Sequence, residues 1–302
     1  MNSPLPIVAG VGPSSQWLPA GDWKTVLEFL IDRYPGVASE TWLSRMAHGE
    51  VVDEEGQRLH AASVYRAGAC IFYYRELETE PQIPFAESII YEDENLLVVD
   101  KPHFLPVVPA GRFLRETLLV RLRNQGQPDS IVPVHRLDRE TAGLVLFARN
   151  LETRGSYTAL FRDRKVEKVY EALAPALSES ESLRWPTTRR SRIVRGEPFF
   201  RMREADGDPN AETSIELLEQ VEDVARYRLR PLTGKKHQLR VHMAALGIPI
   251  LNDSLYPDES FVPHSNPGDD FARPLRLLAR SLAFQDPITG KSNYFESGRS
   301  LS

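Results

Sequence analysis

The chain contains very little cysteine and no long apolar run. Cys70 is the single cysteine among 302 residues, so no internal disulfide can form, which is typical of a reducing compartment. Every apolar run is far shorter than the roughly 20 residues that a membrane-spanning helix needs. Residues 1–20 lack the basic start and apolar middle of a signal peptide. We therefore predict a cytoplasmic, monomeric protein that does not enter a membrane, with residues 1–20 as a flexible arm.

The chain also contains fewer basic than acidic residues. The chain has 37 basic and 42 acidic residues, a net charge of −5, whereas dedicated nucleic-acid-binding proteins are commonly basic. The imbalance is concentrated in residues 1–80, which hold 6 basic against 11 acidic residues. A basic stripe can still steer a polyanion, although a run of solvated charges is the alternative. The stripe consists of Arg162, Arg164, Lys165, Lys168, Arg184, Arg189, Arg190, Arg192, Arg195, Arg201 and Arg203.

One polar segment precedes a buried strand. Residues 135–149 have the sequence HRLDRETAGLVLFAR, in which a charged loop and a Thr-Ala-Gly corner lead into an apolar run. This order places charged side chains at the rim of a sheet. Arg136 and Arg139 flank Asp138, and neighbouring cations favour an ionised carboxylate. Taken alone, the segment is also compatible with a solvated loop before a strand.

A second segment, residues 228–253, has the sequence RLRPLTGKKHQLRVHMAALGIPILND. The alternation over residues 227–232 predicts a strand that stops at Thr233-Gly234. The following residues predict a helix over 235–246 with Gly247 at its C-terminal cap. Arg240 would then lie on a rigid element, where it can face a carboxylate. Without other matches, a surface ion pair would be the simpler interpretation.

Two other site types fit these residues poorly. A metal-dependent hydrolase would use His135, Asp138, His237 and His242. The two late histidines, however, are about 140° apart on a helix, because each residue turns roughly 100°, and no acid lies between them as in HExxH. The segment TGKK at 233–236 lacks the first glycine of a phosphate-binding loop, since Leu229 stands there.

Four segments together resemble the motifs of the RluA-type pseudouridine synthases. They occur in the family's order over roughly residues 88–290 and have the sequences YEDENLLVVDKP (91–102), HRLDRETAGLVLFARN (135–150), KVEKVYEALA (165–174) and the segment at 228–253. Ala142 departs from the pattern, because many relatives carry serine there. The substitution changes a turn residue and leaves the catalytic roles unaffected.

The resemblance implies an isomerase that converts uridine to pseudouridine in structured RNA, ribosomal or transfer. The reaction breaks the bond from uracil N1 to ribose C1′ and forms one from C5 to C1′. Nothing is oxidised or hydrolysed, so we expect no cofactor and no metal. By resemblance, Asp138 is the central catalytic carboxylate, Arg240 pairs with it, and Tyr170 packs against the target base.

The resemblance also suggests which residues contact RNA. Arg136 matches the arginine that fills the place of an extruded uridine. His135 is either structural or a phosphate contact. The remaining candidates for RNA contact are Lys165, Lys168, Lys235 and Lys236. The alternative function is a catalytically idle RNA-binding protein of the same fold, and the joint presence of Asp138, Tyr170 and Arg240 argues against it.

Consecutive predicted strands without intervening helices indicate an α+β fold. The resemblance implies a mixed, largely antiparallel bisected sheet with flanking helices over residues 85–302. Residues 21–80 resemble a small S4-like unit, with Asp22 and Ser39 as expected helix caps. Its usual basic face is nearly absent, which suggests that the unit packs or binds protein instead of RNA.

Overall fold

The computed structural model describes residues 3–77, 79–177, 184–257 and 270–301. The chain divides into two compact units. The first contains residues up to 81 together with 109–116 and 120–129, and the second contains 82–108, 117–119 and the residues from 130 onward.

The first unit is a three-stranded sheet with two helices. The strand order is β1-β3-β2, and both neighbouring pairs are antiparallel. Helix α1 is capped by Thr25 instead of Asp22, because the Thr25 hydroxyl accepts from the Glu28 amide. Residues 14–17 of the segment predicted as a flexible arm form a strand that pairs with β3. The elements are β1 Ser14–Trp17, α1 Val26–Arg33, α2 Ser39–Ala47, β2 Val51–Asp53 and β3 Cys70–Tyr73.

The described residues of the second unit form one mixed, mostly antiparallel sheet of eleven strands. This confirms the predicted α+β class. The strand order is β10-β9-β11-β12-β8-β13-β7-β5-β4, with β14 paired to β13 and β6 to β7. The strands are β4 Ser88–Glu92, β5 Leu96–Lys101, β6 Val132–Pro133, β7 Ala142–Ala148, β8 Glu167–Pro175, β9 Thr187–Arg195, β10 Met202–Ala205, β11 Ala211–Val221, β12 Val224–Pro231, β13 Leu277–Gln285 and β14 Ser292–Glu296.

Two helices accompany these strands, α4 Arg154–Arg162 and α5 Gln238–Ala245, whereas most of α3 Leu118–Asn124 belongs to the first unit. Helix α4 buries Tyr157 and Leu160 in a cluster with side chains of β5 and β7. Helix α5 buries Leu239 and Met243 in a second cluster with side chains of β8 and β12. Each half of the sheet therefore has its own apolar core, and α5 belongs to the half that contains β8.

Strand β13 joins the two halves of the sheet. It is antiparallel to β8 but parallel to β7, to which it pairs only through Leu278 with Ala142 and Ala279 with Gly143. Gly143 has a φ of 110°, and a Cβ atom there would lie 2.3 Å from the Ala279 carbonyl oxygen. Only glycine allows the two backbones to approach this closely in that conformation. The junction therefore depends on the glycine that follows Ala142.

Two predicted helices begin later than the sequence pattern indicates. The sequence of residues 114–123 also predicts a helix, but α3 begins only at Leu118, because the Glu80 carboxylate accepts from the amides of Leu114, Arg115 and Glu116. The helix predicted from Lys235 begins at Gln238, because His237 adopts the left-handed conformation with a φ of 57°. In both places, side-chain or backbone contacts replace the first helical turn.

Strand β9 was not predicted as a strand, because its arginines suggested a solvated stripe. Arg189 and Arg190 both lie in ion pairs, with Glu204 and Glu212 respectively. Part of the stripe's charge is therefore neutralised within the sheet. No helix of the described residues combines the length and the apolar character that crossing a membrane requires.

We expect Gly143→Ala to lower the free energy of unfolding by about 2–5 kcal/mol, since it adds overpacking to backbone strain. Urea unfolding followed by circular dichroism measures the change. Gly155→Ala is the control, because Gly155 lies in α4 with nothing within 4 Å of its Cβ position. There the alanine should stabilise by about 0.5–1 kcal/mol. Equal effects of the two substitutions would contradict the close approach at Gly143.

Candidate active site

Asp138 lies in the loop that leads into β7, next to the sheet junction. The Thr141 amide donates to the Asp138 carbonyl over 3.1 Å, which closes a tight turn, and the Asp138 side chain is 33% exposed. On β13, Leu278 and Ala279 pair on one side with the start of β7 and on the other with Tyr170 and Glu171 of β8. The junction thus brings Tyr170 close to the Asp138 loop.

Tyr170 is in electrostatic contact with Asp138. The pKa of the Tyr170 hydroxyl is raised mainly by burial and, to a smaller extent, by the negative charge of Asp138. The phenol therefore remains neutral near pH 7. A neutral aromatic ring beside a carboxylate offers a flat apolar surface for a base.

Lys101 binds the backbone of the Asp138 loop. It ends β5 and is fully buried, and its Nζ donates to the carbonyls of Pro102, Leu105 and Arg139 over 2.9, 2.8 and 3.1 Å. Burial lowers the pKa of Lys101, and the charge of Asp138 acts in the opposite direction. The sequence analysis did not single out this residue. Its signal was a lysine that, after Asp100, ends a strand with four apolar residues.

Arg240 pairs with carboxylates other than the predicted one. Its Nε and Nη2 donate to the two oxygens of Asp253 over 2.7 and 2.5 Å, and Nη1 lies 2.8 Å from Glu140 Oε2. An ion pair with Asp138 is not among those of the described residues, so this predicted pairing is wrong. The planar guanidinium is matched by the two oxygens of Asp253 on one edge. Glu140, two residues beyond Asp138, takes the remaining nitrogen.

The charge of Arg240 still reaches Asp138. Burial lowers the pKa of Arg240, but the hydrogen bonds and charge of Asp253, and then the charges of Glu140 and Asp138, outweigh it and raise the pKa. Arg240 is therefore a permanent cation under the site, with a side chain that is 2% exposed.

His237 lies between Asp138 and Tyr256. Its Nε2 is 4.0 Å from Asp138 Oδ1, and its Nδ1 is 2.7 Å from the Tyr256 hydroxyl. Burial is the main cause that lowers the pKa of His237; Arg240 and Lys236 lower it further, whereas Asp138 and Asp253 raise it. The imidazole is therefore neutral near pH 7.

The two histidines weighed as metal ligands serve different neighbours. His242 Nε2 lies 3.0 Å from the Ser191 hydroxyl and Nδ1 lies 2.9 Å from the Thr213 hydroxyl, whereas His237 faces Tyr256. Within the ranges that the structure describes, no three His, Cys, Asp or Glu residues are grouped so as to hold a metal.

The predicted RNA-contacting residues differ in how accessible they are. Arg136, Lys165 and Lys235 are exposed, and Lys236 is exposed with its Nζ 3.0 Å from the Phe200 carbonyl oxygen. Lys168 is half-buried and donates to the Thr233 carbonyl over 3.3 Å. Lys168 therefore fastens the loop before α5, and the other four present their charge to solvent.

The His135 side chain makes contacts within the fold. Its Nε2 accepts a hydrogen bond of 3.1 Å from the Leu146 amide, and its ring stacks on Phe161 with 4.4 Å between centroids. Burial lowers its pKa to about 3. Of the two roles considered for His135, these contacts support the structural one, because a neutral, occupied imidazole has little attraction for a phosphate.

Comparison with known proteins agrees with this arrangement. Residues 95–245 match the family model described as RNA pseudouridylate synthase. The chain belongs to this family. It is 30% identical to the ribosomal large subunit pseudouridine synthase D of Pseudomonas aeruginosa, over 80% of this chain and 78% of that protein. It is 29% identical to an uncharacterized RNA pseudouridine synthase of Synechocystis sp., over 76% of this chain and 79% of that protein.

A solved structure gives the same result for the fold. The human RNA pseudouridylate synthase domain containing 1 superposes with a TM-score of 0.58 at 26% identity, covering 73% of this chain and 86% of that one. The protein is therefore an RNA pseudouridine synthase, an isomerase that acts on uridines in RNA.

We expect Asp253→Asn to lower the free energy of unfolding by about 3–5 kcal/mol, because it leaves the buried Arg240 with half of its counter-charge. Urea unfolding at neutral pH measures the loss. Glu216→Gln is the control, since Glu216 pairs with Arg228 and Arg230 at the surface, where solvent screening leaves an ion pair with little net effect on stability. A loss for Asp253→Asn no larger than for the control would show that Asp253 is dispensable to Arg240.

Proposed function

We propose that Asp138 is the central catalytic group of this synthase. Three carboxylates surround Arg240, and two of them, Glu140 and Asp253, are bound to its guanidinium. Asp138 is the third, and among the contacts of the described residues its side chain makes no hydrogen bond. Its oxygens are thus left for substrate, beside the ring of Tyr170. This difference between the three carboxylates is the observation that carries the proposal.

The chemistry then assigns a task to each neighbour. Asp138 attacks, or stabilises as a fixed negative charge, the C1′ carbon from which uracil N1 departs. Tyr170 supports the detached uracil while it turns to present C5. The bond from C5 to C1′ then forms and displaces Asp138 where it is bonded to C1′, C5 loses its hydrogen to solvent, and N1 takes up a proton. Arg240 acts through Glu140 and Asp253 and holds the Asp138 loop against α5. It is thus a positioning residue and does not touch the base. No residue in this scheme is oxidised, and no cofactor is required.

We infer that the substrate is a folded ribosomal or transfer RNA whose target uridine is extruded. Extrusion costs a few kcal/mol, and Arg136 is placed to offset part of this cost by entering the vacated position. Exposed Lys165, Lys235 and Lys236 supply phosphate contacts. The buried, reduced Cys70 suits a cytoplasmic enzyme, and we propose that it acts as a monomer.

We also propose the domain boundaries predicted from the sequence, with an S4-like unit at 21–80 and a catalytic domain at 85–302. The pattern of two helices followed by strands supports the first. The acidic excess of residues 1–80 favours packing or a protein partner over RNA for this unit.

The test of the catalytic role is Asp138→Asn. We expect product formation to fall at least about 1,000-fold, because the amide carries no charge to stabilise C1′, while the Kd for RNA changes less than about threefold. Release of tritium from [5-³H]uridine-labelled RNA measures turnover, and filter binding measures affinity. Glu216→Gln serves as the control for expression and folding. Full turnover by Asp138→Asn would refute the proposal.

The RNA substrate can be identified by a transcriptome-wide pseudouridine map, based on carbodiimide-dependent reverse-transcription stops. Cells that lack the gene are compared with cells complemented by the natural protein or by Asp138→Asn. Sites that vanish on deletion and return only with the natural protein define the substrate. Sites restored equally by Asp138→Asn would contradict the assignment of Asp138.

We expect Lys165→Gln and Lys235→Gln each to weaken RNA binding and to reduce the slope of log Kd against log salt by about one counterion. Filter binding at several salt concentrations measures the slope. Lys24→Gln is the matched control, because Lys24 is exposed and belongs to the first unit, to which we assign no RNA contact. An unchanged slope for both test variants would exclude these lysines from the interface.

A further inference from the structure

His237 adopts a backbone conformation that its residue type disfavours. Its φ is 57°, in the left-handed region where glycine and asparagine are most common. Its side chain is nevertheless 7% exposed and lies in the site. A strained residue whose ring is buried beside the catalytic carboxylate indicates that the ring has a task there.

The neighbours of His237 determine which of its nitrogens carries the proton. The Tyr256 oxygen accepts from the Met202 amide over 2.7 Å, which leaves the phenolic hydrogen free to point at His237 Nδ1, 2.7 Å away. On the other side of the ring, Asp138 is a carboxylate and can only accept. The arrangement that satisfies both sides has Nδ1 accepting from Tyr256 and Nε2 carrying the hydrogen that faces Asp138.

Tyr256 is itself held in place by the buried cluster around Arg240. Its amide donates to Asp253 Oδ1 over 2.9 Å, and the Arg240 guanidinium carbon lies 5.5 Å from the centroid of its ring. A continuous path of contacts therefore leads from Asp253 through Tyr256 and His237 to Asp138.

We propose that His237 is a positioning residue for the reaction, which donates its Nε2 hydrogen to Asp138 Oδ1 in the substrate complex and fixes the carboxylate rotamer. The 4.0 Å separation exceeds a direct hydrogen bond, and such contacts in ligand-free sites tighten when substrate binds. The inference rests on Asp138 being the catalytic group. The tautomer of His237 can be measured independently of activity.

Two amide substitutions separate this role from a purely structural one. His237→Asn suits the left-handed backbone better than histidine does, and its amide oxygen can still accept from Tyr256, but its side chain is too short to reach Asp138. In His237→Gln the longer side chain places an N–H donor near the position of Nε2, but glutamine favours the left-handed backbone no more than histidine does. Stability and activity are therefore expected to rank the two variants in opposite orders.

We expect His237→Asn to unfold at the same urea concentration as the natural protein or a higher one, with kcat lower by about 10–100-fold and KM changed less than about threefold. His237→Gln should keep kcat within about fivefold of the natural protein. His242→Gln is the control on the same helix, because it disturbs the helix core at Ser191 and Thr213 without reaching Asp138. Full kcat in His237→Asn, or equal losses in the Asn and Gln variants, would overturn the proposal.

The tautomer is read directly from ¹⁵N chemical shifts of histidine-labelled protein near pH 7.5. We expect His237 to show a protonated Nε2 and an unprotonated Nδ1, and Tyr256→Phe to shift it towards a mixture of tautomers. A protonated Nδ1 in the natural protein would refute the inference whatever the activity assays give. Full activity of Asp138→Asn alongside the expected tautomer would instead refute the catalytic assignment on which the inference rests.

Discussion

A buried positive charge is the constraint around which this site is organised. Arg240 is almost fully enclosed, and an uncompensated charge there would cost several kcal/mol. Asp253 binds two of its nitrogens and Glu140 the third, so the guanidinium ties α5 to the loop after it and to the loop that carries Asp138. The loop that carries Asp138 is therefore held by Glu140, which leaves Asp138 itself available.

The sheet junction imposes the second constraint. Strand β13 touches β7 over two residue pairs, and this contact requires the missing side chain of Gly143. Because β13 also pairs with β8, Tyr170 is fixed at the same level of the sheet as the start of β7. Lys101, at the end of a third strand, adds one hydrogen bond to the Arg139 carbonyl. Asp138 thus sits on a loop whose backbone is restrained from several directions, as a site that must preorganise charge requires.

The sequence predicted those features of the site that depend only on the order of neighbouring residues along the chain. A charged loop before an apolar run located Asp138, and the predicted helix around residues 235–246 placed Arg240 on a rigid element. The partners of Arg240 could not be predicted from local sequence. The tertiary fold determines which of the three nearby carboxylates, Asp138, Glu140 and Asp253, bind its guanidinium. The strand character of β9 was hidden by Arg189, which faces inward and is neutralised by Glu204. The backbone angle of His237 is likewise set by tertiary contacts and leaves no trace in periodicity.

The small number of basic residues is consistent with a site in which some cations stabilise the fold and others face solvent. Arg189, Arg190 and Arg240 are paired with carboxylates, and Arg240 is enclosed by the fold, so a count of basic residues says little about affinity for a polyanion. Arg136, Lys235 and Lys236 are exposed, and extrusion of one uridine needs only a local contact. An acidic protein can therefore act on RNA when its exposed cations lie beside a preorganised carboxylate. The cations bind the RNA, and the carboxylate acts on the uridine.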